Sequence, residues 1–132
     1  MTTACHAAAG ALVGSMVGSP PLAFAAGLAS HAVLDIVPHY DIANWRIDLV
    51  ATLIIAAALM IVSGGNPAIV WGVIGGALPD LENLLMKLGW IRSKQRVFPT
   101  HDGPWPHGRA LGSPHALWQV GIIALAFWRS TS

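Results

Sequence analysis

Long apolar stretches separated by short turns limit the possible folds of this chain more than any other feature. The stretches cover residues 3–17, 21–37, 47–62, 67–88 and 114–128, and the fourth becomes amphipathic after Leu78. Each is near the lower end of the roughly 17–25 residues that a membrane-spanning helix needs. Only 10% of the residues are charged, against roughly 25% in soluble domains. The sequence therefore predicts one all-α integral membrane domain over residues 1–132, with about five short transmembrane helices.

Proline and glycine at the boundaries indicate how these helices are connected. Tight turns are predicted at residues 18–21 and 63–67, where each following helix begins with proline. This arrangement predicts two helical hairpins, a polar histidine-rich loop over residues 89–113, and a final helix. Glycines spaced by four, at Gly10 and Gly14 and again at Gly72 and Gly76, favour close helix packing in lipid. The same glycine-rich faces offer a surface for a homo-oligomer.

The topology of alternating spans gathers the polar residues at one membrane face. The N-terminus, the segment 38–46 and the loop 89–113 fall together there, whereas the two tight turns fall on the opposite face. Six of the seven basic residues lie on the polar face: Arg46, Lys87, Arg92, Lys94, Arg96 and Arg109. The positive-inside rule predicts that this face is cytoplasmic. We expect a multi-pass protein of the inner (plasma) membrane with a cytoplasmic N-terminus and no cleaved signal peptide.

Two ionisable residues lie within or near the predicted hydrocarbon region. His31 and Asp35 are four residues apart and therefore share one face of the second helix. A charge at this depth costs about 2.5–3.5 kcal/mol on insertion scales, and such residues are usually paired and functional. An imidazole and a carboxylate from one turn suit a metal ion, although a structural hydrogen bond is the simpler alternative. His39 would extend the stripe beyond Pro38, which disturbs the helix.

Other segments supply further candidate ligands for the same ion. Asp80 and Glu82 lie toward the end of the fourth stretch, in its amphipathic part, and the proline-stiffened loop contributes His101 and His107. Histidine and carboxylate ligands suit a divalent metal, with zinc as the first candidate and manganese or iron as alternatives. The predicted metal ligands are His31, Asp35, His39, Asp80, His101 and His107. We interpret His6 and His115 as interfacial side chains.

These motifs resemble a family. The segment from Gly27 to Asp35, followed by Pro-His-Tyr-Asp at residues 38–41, is similar to the His-x-x-x-Asp helix of the membrane-bound metal-dependent hydrolases. That group includes the LexA-regulated inner-membrane hydrolase. Residues 76–82 resemble the family's Leu-Pro-Asp-x-Asp motif with Glu82 as the second acid, and residues 100–107 resemble its histidine-rich loop. His6 also has a counterpart there. The two helix motifs occur in the opposite order, and Asp102 replaces a usual arginine.

The resemblance implies a metal-dependent hydrolase, and the residues suggest roles. Glu82 or Asp41 would act as the general base or orient a metal ligand. Arg92, Lys94, Arg96 and Arg109 would hold an anionic head group, which suits a lipid phosphoester at the cytoplasmic interface. We expect membrane lipid as the partner and no nucleic acid. The alternatives are a metal- or proton-handling membrane subunit, a small oligomeric transporter, and haem ligation by two histidines.

Overall fold

The computed structural model describes residues 1–132 and is built from six α-helices without a strand. Their bounds are α1 Thr3–Val17, α2 Pro20–Ile36, α3 Trp45–Val62, α4 Pro67–Ala77, α5 Asp80–Lys87 and α6 Ala116–Ser130. The predicted all-α class is confirmed. The fourth apolar stretch is not one helix, because α4 and α5 meet at an angle of 48°. Pro79 lies at this break, where its missing N–H cannot continue the helical hydrogen bonds.

Side-chain caps fix where three of the helices begin. The side chain of Thr2 accepts a hydrogen bond from the backbone N–H of Cys5 at the start of α1. Asn44 and Asn66 accept from backbone N–H groups at the starts of α3 and α4. Each cap satisfies a donor that the helix itself leaves without a partner. The polar residues between the apolar stretches therefore set the helix boundaries.

The central helix of the bundle is α1, which packs against α2, α3, α4 and α6. Alanine and glycine make up most of its buried residues. A Cβ atom added to Gly10 would overlap the backbone of Gly72, and one added to Gly76 would overlap the carbonyl oxygen of His6. The predicted glycine packing thus occurs within a single chain, between α1 and α4. A homo-oligomer stays a prediction, and it would need another face of the molecule.

The third helix differs from the expected hairpin arrangement. α3 packs mainly against α1, and α4 packs against α1 and α2 instead of pairing with α3. The reason is that α4 carries the glycines that allow close approach to α1 and α2, whereas α3 carries large aliphatic side chains. Only Thr52 and Leu59 of α3 are buried. Ile54 and Ile61 are 64% and 76% exposed.

Length and hydropathy identify one helix that can cross a membrane, and at most two. α3 has 18 residues with a mean hydropathy of 2.1. The bent pair of α4 and α5 qualifies as a second span if the two helices are counted together, whereas α1 and α2 are shorter apolar helices.

The loop after α5 folds back over the ends of α2 and α5. The backbone N–H of Gly108 donates to the carbonyl oxygen of Asp35 at 2.5 Å, and a Cβ atom at Gly108 would overlap the carbonyl oxygen of Val37. The carboxylate of Glu82 accepts hydrogen bonds from the N–H groups of Val97 and Phe98 at 2.9 and 3.2 Å. These contacts hold the histidine-rich segment against the polar ends of the helices.

Candidate metal centre

The side chain of Asp35 lies at the centre of a buried polar cluster. Its Oδ1 is 3.0 Å from Nε2 of His6, and its Oδ2 is 3.2 Å from Nε2 of His31. The only hydroxyl that donates to Asp35 is that of Thr100, at 2.6 Å from Oδ2. Asp35 is 1% exposed, and both histidines are fully buried. The helical spacing of four residues therefore brings His31 and Asp35 together as the sequence predicts.

His6 belongs to the centre of this cluster, so its interpretation as an interfacial side chain is wrong. Its ring stacks on that of His31 with centroids 3.6 Å apart and an angle of 16° between the rings. The first turns of α1 are buried because α1 is the central helix and its small residues let α2 and α4 approach. The alanines around His6 were the signal in the sequence, because they mark a helix buried on every side. His115 is exposed.

Hydrogen bonding fixes the tautomer of His31. Its Nδ1 lies 2.7 Å from the carbonyl oxygen of Gly76. A carbonyl oxygen can only accept, so Nδ1 carries the proton. In the neutral ring, Nε2 then carries no proton, and its lone pair faces the carboxylate of Asp35. This nitrogen has no hydrogen-bond partner. Two electron-rich atoms at 3.2 Å repel each other unless a cation lies between them or the ring is protonated.

His101 is oriented in the same way by the loop. Its Nδ1 lies 3.3 Å from Oε2 of Glu82, and the side-chain amide of Asn83 lies 3.4 Å from its Nε2. That nitrogen is 3.6 Å from Oδ2 of Asp35 and 3.7 Å from Oδ1 of Asp80. Asn83 donates from Nδ2 to the same oxygen of Asp80 at 2.9 Å. The remaining oxygen of Asp80 is buried and has no hydrogen-bond partner.

The donor atoms fit a transition-metal ion. Two sets of three, His6–His31–Asp35 and His31–Asp80–His101, each have ligand atoms within 4.8 Å of one another. Zinc binds imidazole nitrogen at about 2.0–2.1 Å, so neighbouring ligands of a tetrahedral ion are about 3.4 Å apart. The buried His/Asp groups can therefore bind a metal ion. Because His31 has only one free nitrogen, it can serve one ion, and the two sets are alternative placements for that nitrogen.

The other predicted ligands lie at or beyond the rim of the cluster. Nδ1 of His107 is 3.8 Å from Oδ2 of Asp35, and its side chain is 45% exposed. His39 is buried but turned away, with Nδ1 2.7 Å from the carbonyl oxygen of Val37 and Nε2 3.3 Å from Asp41. The structure thus brings His107 near the cluster and separates His39 from it.

Local contacts determine the pKa values of two side chains outside the helices. The hydrogen bond with His39 and the nearby amino group of Met1, 2.8 Å away, hold the pKa of Asp41 well below its usual range. Burial lowers the pKa of His107, although the negative charge of Asp35 acts in the opposite direction. Asp41 is therefore ionised and His107 is neutral at physiological pH.

None of the four cations predicted to bind a head group forms an ion pair with the buried carboxylates of this centre. Arg96 is held by two hydrogen bonds to Asp102, at 2.6 and 2.8 Å, and one to Asn83 at 2.7 Å. Arg92, Lys94 and Arg109 are exposed on the loop. Asn83 thereby connects Arg96 to Asp80, a role that the sequence analysis missed because an asparagine in an amphipathic helix has no distinguishing pattern.

A cleft of about 440 Å³ opens beside the cluster. Its apolar lining includes Ile42, Trp45, Leu49, Leu81 and Leu84. Its ionisable lining consists of Asp35, Asp41, Asp48, Asp80, Lys87, His107 and the amino group of Met1. The cleft therefore reaches the cluster at the carboxylates of Asp35 and Asp80, and none of the four predicted head-group cations lines it.

Asp48 connects the beginnings of two helices at the edge of this cleft. Its Oδ2 accepts from the hydroxyl and the backbone N–H of Thr3 at 3.0 and 3.3 Å, which ties α3 to α1. Its Oδ1 is buried without a hydrogen-bond partner. Asp48 belongs to neither set of potential metal ligands.

Comparison of the chain with protein-family models, with curated proteins and with solved structures finds no match.

Proposed function

We propose that this chain is a membrane-embedded, metal-dependent hydrolase that acts on an ester of a lipid-like amphiphile. The ion, zinc as the first choice, would be held by Asp35, His31 and either His6 or the pair of Asp80 and His101. Such an ion supplies Lewis acidity and lowers the pKa of water that it binds. The site would lie at the cytoplasmic face of the inner membrane, as the loop charges predict.

One observation carries the metal proposal: imidazole nitrogens and carboxylate oxygens converge in one buried cluster. Nε2 of His31 and Nε2 of His101 both face carboxylate oxygens, because Gly76 and Glu82 engage the opposite ring nitrogens. No lysine or arginine forms an ion pair with Asp35 or Asp80. Buried charges are normally paired or bind metals. A divalent cation held by either set of three would give its histidine nitrogens and carboxylate a partner that the protein does not supply.

The resemblance to the membrane-bound hydrolases supports the reaction class, and the position of the cleft supports access for a substrate. His107 lines the cleft near Asp35 and is half exposed, so it can take a proton from water. Asp41 is less suited to this role because His39 and Met1 already engage its Oδ1. Glu82 is assigned to positioning, since it orients His101 and holds the loop.

The apolar outer surface supports a membrane location. Leu22, Val33, Leu53, Leu117 and Trp128 are all more than half exposed. Soluble monomers rarely expose contiguous apolar patches of more than a few hundred Å². Lipid around α2, α3 and α6 would cover these side chains.

The metal content of the purified protein tests the proposal. Elemental analysis in detergent should find about one equivalent of zinc, manganese or iron in the wild type. His31→Ala and Asp35→Asn should lose it, and Asp48→Asn should retain it. Asp48 is the matched control because it is also buried in part and lies near the cleft. Equal metal content in Asp35→Asn and Asp48→Asn would reject this site, as would a metal-free wild type after incubation with zinc.

A non-enzymatic metal- or proton-handling subunit is favoured by one detail. His6 and His31 are fully buried and do not line the cleft, so part of the cluster is closed to substrate. Zinc-loaded protein that releases no product from a panel of amphiphilic esters, yet moves zinc or protons into sealed liposomes, would establish this alternative and exclude the hydrolase.

A further inference from the structure

Acidic groups outnumber basic groups in the lining of the cleft. Four carboxylates, those of Asp35, Asp41, Asp48 and Asp80, face two cations, Lys87 and the amino group of Met1, and Asp41 already engages that amino group at 2.8 Å. One oxygen each of Asp48 and Asp80 is buried without a hydrogen-bond partner. With a divalent ion at the cluster these formal charges sum to zero, so the cleft offers an anionic head no excess positive charge. An anionic group that enters the cleft would also meet the two carboxylate oxygens that have no hydrogen-bond donor.

The cations of the loop add no positive charge to the lining of the cleft. Arg96 already pairs with Asp102, and neither residue lines the cleft. A phosphate group at the cluster would therefore lack the arginine fork that normally binds it. Like charges placed together at a binding site act against the wrong ligand and so create specificity.

The rest of the lining suits an alkyl chain. Ile42, Leu49, Leu81 and Leu84 line the cleft together with the ring of Trp45. These residues come from the start of α3, the segment before it and α5, so the cleft lies between α3 and α5. Apolar walls with a few polar groups are typical of sites for small amphiphiles.

From this arrangement we propose that the cleft selects an amphiphile with an uncharged or amine-bearing head and excludes phosphate heads. The substrate class is then a carboxylic ester of such an amphiphile, which rests on the proposed hydrolase function. In its hydrolysis, the oxygen of water bonds to the acyl carbon and the acyl carbon–oxygen bond breaks. The alcohol leaves with a proton returned by His107, and the products are a carboxylic acid and an alcohol.

Quenching of Trp45 fluorescence tests the head-group preference without any turnover. The zinc-loaded chain is placed in phosphatidylcholine nanodiscs with alkyl amphiphiles brominated near the chain tip, because bromine quenches tryptophan on contact. Three probes share one chain and differ only in a trimethylammonium, glycerol or phosphate head. The signal of the wild type minus that of Trp45→Phe isolates the tryptophan of the cleft.

We expect the trimethylammonium and glycerol probes to reach half-maximal quenching at a mole fraction at least about tenfold below that of the phosphate probe. Asp48→Asn should narrow this difference, and Asp102→Asn, which changes a carboxylate outside the cleft, should leave it unchanged. Equal or tighter binding of the phosphate probe would overturn the proposal, and so would the absence of saturable quenching at Trp45. If the preference is observed and the protein hydrolyses no ester, the hydrolase function fails while the ligand class stands.

Discussion

Two ionic clusters at the same end of the molecule show opposite ways to stabilise a carboxylate. Oδ2 of the exposed Asp102 accepts three hydrogen bonds, one from Ser93 at 2.6 Å and two from Arg96 at 2.6 and 2.8 Å. The buried Asp35 accepts only one, from Thr100, and otherwise faces histidine nitrogens. The exposed cluster is complete with protein atoms alone. The buried cluster needs a further positive charge, which a bound metal ion or a proton on His31 would supply.

The largest expected effect is the loss of stability when the ion is removed from the buried cluster. A ligand present at a thousand times its Kd stabilises the folded state by about 4.1 kcal/mol. That corresponds to a fall in melting temperature of roughly 10 °C or more for a chain of this size. Thermal unfolding of the wild type with and without a chelator measures it. Asp35→Asn should unfold at the same temperature in both buffers. If the melting temperature of the wild type does not change with the chelator, the buried cluster needs no metal ion and does not differ from the exposed one in this respect.

Substitution of His6 should come next in size. His6→Ala removes a fully buried ring that stacks on His31 and lies 3.0 Å from Asp35. We expect zinc affinity to fall by at least about a hundredfold, beyond the roughly 10–100-fold of an outer-shell change. Competition with a zinc chelator provides the measurement. His115→Ala is the control, and equal affinities for the two variants would place the ion with His101 and Asp80 instead.

Glu82→Gln should have an intermediate effect. The amide can still accept a hydrogen bond from His101, but it no longer supplies a negative charge behind the ring. Loss of an outer-shell carboxylate typically weakens metal binding by roughly 10–100-fold. The same competition assay measures this, with hydrogen exchange at Val97 and Phe98 as a check on the loop. A hundredfold loss of affinity accompanied by rapid exchange would assign Glu82 to loop anchoring alone.

The smallest effect is expected at the exposed cluster, where it depends on pH. The hydrogen bond from Ser93 and the charge of Arg96 lower the pKa of Asp102. A lowered pKa in the folded state stabilises the protein above the unfolded value of about 3.9 and is lost as pH falls through the folded value. The melting temperature of Asp102→Asn should therefore be slightly below that of the wild type at neutral pH. The two curves should converge below about pH 4, and a constant difference would attribute the effect to packing.

Part of this arrangement follows from local sequence. The four-residue spacing of His31 and Asp35 and the position of Asp80 after Pro79 are sufficient to predict that they share one end of a helical bundle. The starts of α2 and α4 also followed from the prolines after the two predicted turns.

Contacts between distant segments could not be obtained in this way. The depth of His6 depends on how closely α1, α2 and α4 pack, and the separation of His39 depends on its bonds to Val37 and Asp41. The bend between α4 and α5 was missed because hydropathy continues through Leu78 even though Pro79 interrupts the hydrogen bonds. The Arg96 side chain pairs with Asp102 of the same loop, and a count of charges in the sequence does not predict this pairing.

Gly76 affects both the packing of the helices and the orientation of a potential metal ligand. Its missing side chain lets α1 and α4 touch, and its carbonyl oxygen sets the ring orientation of His31. The distance between α1 and α4 and the orientation of the His31 ring therefore depend on the same residue. Redesign of this protein for a larger or smaller ion would need a new distance between α1 and α4, because substitution of the ligands alone would leave that distance unchanged.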